Sequence, residues 1–84
     1  MDAEQKAKTA LNQSNQRIKE HYDKILDEVE TINNTVLHDY LNATPDAREK
    51  TKILKQWNPM ILDYGNGLAV LKQGMDAADK IIKG

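Results

Sequence analysis

Asn42-Ala43-Thr44-Pro45-Asp46 interrupts an otherwise helical pattern halfway along the chain. Pro45 has no backbone N–H for a continuing helix, and it pushes Thr44 out of helical geometry. The same Thr44-Pro45 pair reads as a start signal, Thr44 as N-cap and Pro45 at the first helical position. One helix therefore ends near Leu41 and another begins at Pro45. So short a link favours antiparallel neighbours. The expectation is one domain over residues 1–84, with a helix over about 2–42, a turn at 42–45 and a helix over about 45–83.

Outward from the turn, each half carries its own apolar stripe. Leu11, Ile18, Ile25 and Ile32 recur every seventh residue, and Asn15, Tyr22, Val29 and Val36 follow four residues behind. That alternating spacing is the mark of a coiled-coil seam. No Gly or Pro interrupts the stretch from Asp2 to Leu41, and Asp2 is the candidate N-cap, with Glu4 in the first turn. In the second half Leu54, Ile61, Leu68, Met75 and Ile82 form one row, and Trp57, Tyr64, Leu71 and Ala78 the other. Asn58-Pro59 predicts a kink or a restart there. Gly65 and Gly67 soften the next turns, each by about 1 kcal/mol relative to Ala. Folding at Ala43 pairs residues whose numbers add to about 86. That sets Val29 against Trp57 and Leu11 against Met75. The fold class is all-α, a long antiparallel helical hairpin of coiled-coil type.

Composition narrows the functions. The 84 residues contain no Cys, which excludes a disulfide scaffold and thiol chemistry. Twelve basic and thirteen acidic residues give a net charge of −1, so the broad basic footprint of a nucleic-acid binder is missing. No run approaches the length of a membrane span. His21 and His38 lie roughly 25 Å apart on one helix at helical rise and cannot share a metal ion within a chain. Neither stands in a Glu-x-x-His pattern, so no metal, cofactor or catalytic residue is expected. Acidic residues cluster at Asp23, Asp27, Glu28 and Glu30, basic ones at Arg48, Lys50, Lys52 and Lys55. In the 86 register the two clusters lie close together and favour antiparallel orientation.

Several apolar residues fall off the seam: Leu26, Leu37 and Leu41 in the first helix, and Ile53, Leu62, Val70 and Ile81 in the second. With Trp57, a residue type enriched at interfaces, these eight are the candidate interface. A lone hairpin leaves such residues in water, and a second copy forming a four-helix bundle is the usual remedy. The expected function is non-enzymatic: self-assembly, or protein binding through the helix faces. The alternative is a cytosolic adaptor, chaperone or inhibitor that completes a bundle with another helical protein. Neither nucleic acid nor a membrane span enters either reading.

Pro45 in the loop, Trp57 a dozen residues later and the run Val70-Leu71-Lys72-Gln73-Gly74-Met75-Asp76-Ala77-Ala78 leading to Ile81-Ile82 resemble the needle subunits of type III secretion systems. That family consists of small helical hairpins with a self-assembling C-terminal helix. The resemblance implies a structural subunit exported without a cleaved leader, in place of the default cytoplasmic location. The chain departs from the family in having Arg48 near where a second loop proline would fall, and in ending on Lys83-Gly84.

Overall fold

Asp2 starts the first helix, its Oδ1 accepting a hydrogen bond from the Gln5 backbone N–H at 2.8 Å and satisfying one of the orphan donors of the first turn. In the computed structural model, which describes residues 2–84, α1 runs over Ala3–Thr31 and passes without a break into a π-helical turn, Ile32–Val36. Helix α2, Leu37–Ala43, completes this first arm. The second arm is one helix, α3, over Ala47–Lys83. It packs back along α1, giving a rod of 67 × 16 × 13 Å. There is no strand among the described residues.

The turn differs in detail from the sequence expectation. Thr44 closes the first arm as its C-cap and donates its hydroxyl to the Tyr40 carbonyl at 2.8 Å. Asp46 caps α3, its carboxylate accepting from the Arg48 N–H at 2.8 Å. A carboxylate also suits the positive end of the helix dipole, which a neutral Thr does not answer. The helix therefore starts after Pro45 rather than at it.

Pro59 and Gly65-Asn66-Gly67 do not break α3. Pro59 leaves the Lys55 carbonyl without its helical donor. The helix continues because Leu54, Ile61, Leu68, Met75 and Ile82, seven apart on either side of the proline, all lie wholly or partly buried along the first arm. No glycine adopts a positive φ.

The register is one helical turn away from that expected. Asn15 reaches the Met75 carbonyl, so facing residues carry numbers adding to 90. Leu37 and Ile53, each only 5% exposed, satisfy the same relation. The rings of Trp57 and Tyr40 meet at 5.6 Å, which removes Trp57 from the expected contact with Val29. The centre of folding is Pro45, two residues beyond Ala43. A slip of four keeps one of the two rows in match, setting Asn15, Tyr22, Val29 and Val36 level with Met75, Leu68, Ile61 and Leu54, and takes Leu11, Ile18, Ile25 and Ile32 out of match.

Leu37 and Ile53 are thus core residues of the hairpin, not part of an outward face. The physical reason lies in the helical period. At 3.6 residues per turn a strict heptad row slides round an unsupercoiled helix by about 20° per heptad. The π turn then inserts one extra residue, its closing bond running from the Leu37 N–H to the Ile32 carbonyl. Together these bring Leu37 into the seam and turn Val36 out to solvent.

Candidate association interface

The first heptad row carries the most distinctive surface of the molecule. Leu11 and Ile32 stay half-buried, but Ile18 and Ile25 between them emerge on one flank of the hairpin. Two apolar grooves mark that flank. One, of about 380 Å³, lies between Leu11 and Ile18 of α1 and Val70, Leu71 and Gly74 of α3. The other, of about 220 Å³, lies between Ile25, Val29 and Ile32 on the first arm and Tyr64 on α3, with Lys24 and Glu28 at its edge. Ile18 and Ile25 are one heptad apart, so the grooves lie on the same side and follow one another along the rod.

On α3 Gly74 lines the larger groove and Met60 lies beside Tyr64; the seven-residue spacing of Met60, Gly67, Gly74 and Ile81 puts Gly67 and Ile81 on the same side of the helix. A methyl group built on Gly67 or Gly74 would meet nothing within 4 Å. Neither the packing of the hairpin nor its backbone angles calls for glycine at these positions, although each costs about 1 kcal/mol in a helix. The opposite flank differs in chemistry. Its groove near the open end is lined by Gln5, Lys8, Thr9, Asn12 and Ile82. Leu62, 63% exposed, stands there without large apolar neighbours in its own turn, about 140° round α3 from Gly67.

Beneath the larger groove lies a polar cluster that joins the arms. Asn15 is 2% exposed, the most buried polar side chain among the described residues. Its Nδ2 donates to the Met75 carbonyl at 3.3 Å and to Asp79 Oδ1 at 3.1 Å. Lys19 Nζ donates to both Asp79 oxygens at 3.1 Å. A buried amide satisfied in only one alignment is a register device, as in coiled coils. The Lys19–Asp79 pair is about one-third exposed at both ends, so its own contribution is no more than about 1 kcal/mol. It is the cross-arm ion pair among the described residues; the acidic cluster Asp23–Glu30 and the basic cluster Arg48–Lys55 form none with each other. In the 90 register Glu30 lies level with Met60, beyond reach of Arg48 to Lys55.

Of the eight candidate interface residues, Val70 (66% exposed) and Ile81 (58%) stand on or beside the apolar flank, and Leu62 stands away from it. Leu26, Leu41 and Trp57 are half-buried along the seam, and Leu37 and Ile53 are inside it. Ile18, Ile25, Tyr64, Gly67 and Gly74 complete the flank. The heptad rows place Ile18, Ile25 and Tyr64 in the seam, so the sequence pattern carries no signal for their exposure. His21 and His38 are exposed, and no group of three His, Asp or Glu side chains converges among the described residues. No helix of the described residues is long and apolar enough to cross a membrane. Comparison of the chain with protein-family models, with curated proteins and with solved structures finds no match, and the hairpin's own geometry is what speaks to its function.

Proposed function

We propose that the protein is a non-enzymatic, self-associating subunit that buries its apolar flank against a second copy and closes a four-helix bundle. The observation that carries this reading is the one-sidedness of the rod: Ile18, Ile25, Tyr64 and Val70 are exposed together along the same flank. The hairpin withdraws these side chains from water only in part, and burying the remaining half contributes roughly 1 kcal/mol each. A single self-complementary surface produces a closed two-fold dimer, whereas an open filament of the needle type needs two different complementary surfaces. A bend of the second arm at Asn58-Pro59 is compatible with such a bundle, because it would curve α3 about the shared core.

Light scattering coupled to size exclusion over a hundredfold concentration range tests the reading. The expected mass is that of two chains, with a plateau. Ile18→Glu combined with Val70→Glu should leave a helical monomer, each substitution weakening association at least tenfold. A wild-type mass of one chain throughout would overturn self-association. A mass that climbs without limit would overturn closure and favour the filament.

A further inference from the structure

We infer that the two copies pack side by side with their turns at the same end, related by a two-fold axis along the rod, so that Ile18 and Ile25 of each copy seat on Gly74 and Gly67 of the other. This rests on the self-association reading above and adds its geometry. In the 90 register, Leu11, Ile18, Ile25 and Ile32 lie level with residues 79, 72, 65 and 58 of α3. The α3 row on the same flank is Ile81, Gly74, Gly67 and Met60, offset from those levels by a constant two residues, about 3 Å.

A ridge of isoleucines therefore runs beside a row whose two central members have no side chain, at matching heights. Rotation by 180° about the long axis lays the ridge of each copy over the furrow of the other, which is the condition for an isologous contact. The size of the surface agrees. From the level of Ile81 to Ile32 the flank is about 35 Å long at helical rise. Taking the 16 Å dimension of the rod as its width, two copies bury roughly 1,100 Å² in total, just above the ~1,000 Å² at which specific interfaces begin.

The same rotation makes every neighbouring helix in the bundle antiparallel, since the first arm of one copy lies on the second arm of the other. It also accounts for Gly67 and Gly74, which the hairpin does not need for its own packing. A glycine beneath an isoleucine lets two helix axes approach closely; a leucine there holds them apart. The alternative two-fold, perpendicular to the rod, places first arm on first arm and the two turns at opposite ends. It sets the isoleucine ridges against each other and leaves the glycine rows without a ridge to receive.

Two measurements test the arrangement. Gly67→Leu with Gly74→Leu should raise helicity, leave a folded hairpin and weaken dimerisation at least a hundredfold. Gly65→Ala, which alters the same helix off the flank, should leave the dimer intact. The chain has no cysteine, so Asn42→Cys places a single spin label beside the exposed turn. Turns at the same end give an intermolecular distance within about 30 Å, given helix spacings near 10 Å. Turns at opposite ends give about 60 Å, from the helical rise between the centre of the flank and the tip. A dimer with the long distance, or one indifferent to the two leucines, overturns this geometry while leaving self-association standing. A wild-type monomer overturns both.

Discussion

Asn15 is an unusual choice for the most enclosed side chain of a small rod with few large apolar residues. A buried amide lowers stability relative to an aliphatic side chain and is retained where it selects one alignment over another. Here the alternative is concrete. In the 86 register Leu71 would take the place of Met75 and Met75 that of Asp79, so the amide would lose its carboxylate partner, at a cost of about 1–3 kcal/mol. Asn15→Leu should raise the thermal midpoint while admitting the slipped register. Disulfide trapping between introduced cysteines, one pair spaced for 90 and another for 86, should detect one alignment in the Asn15 protein and both in the variant. Trapping of the 90 pair alone in both proteins would show that the register is fixed elsewhere, at the turn or by Leu37 and Ile53. Asn15 was visible from the sequence as a polar member of a seam row, but its partners were not, because they depend on the register that the amide itself helps to select.

The helices show where sequence periodicity succeeds and where it fails. The row Leu54 through Ile82 of α3 lies against the first arm as the heptads predict, whereas Tyr64 of the second row is turned out to the flank. In the first arm the phase does change, and its cause sits in Ile32-Asn33-Asn34-Thr35-Val36, a run of weak helix formers that accommodates a π turn. Nothing in residue types alone distinguishes a π turn from an α turn over so short a run, so the heptad pattern leaves Leu37 outside the seam that it joins. Pro59 shows the opposite case: a strong local stop signal overridden by the seam on both sides of it. The override is costly. Pro59→Ala restores a donor to the Lys55 carbonyl and should stabilise the protein by about 2 kcal/mol, the helical penalty of proline less the entropy it removes from the unfolded chain. Gly65→Ala meets no neighbour and should add about 1 kcal/mol. Urea titrations of both variants, at one fixed protein concentration so that self-association would contribute equally, measure these gains. A loss of stability in either variant would mean that the helix needs the proline or the glycine at that point.

For the molecule as a whole, the hairpin was readable from Pro45 and the two stripes, whereas the sidedness of the rod was not. Sidedness emerges only when two helices are set in one register and the slow rotation of a seven-residue row is followed along 3.6-residue turns. The polar cluster lies in the half of the rod remote from the turn, and this separation has a consequence for the order of events in folding. The turn joins residues close in sequence, while the contacts of Asn15 and Lys19 close loops of 60 residues or more. Loop closure is entropically least costly where the loop is shortest, so pairing starts beside Pro45 and zips toward the termini. The cluster then acts as a clasp that shuts after the rate-limiting barrier. Asp79→Ala should therefore speed unfolding severalfold and leave the folding rate nearly unchanged in a stopped-flow chevron. Equal slowing of folding would place the clasp in the nucleus. A clasp that closes last also opens first, so brief unzipping from the termini, rather than opening at the turn, sets how long the native rod persists.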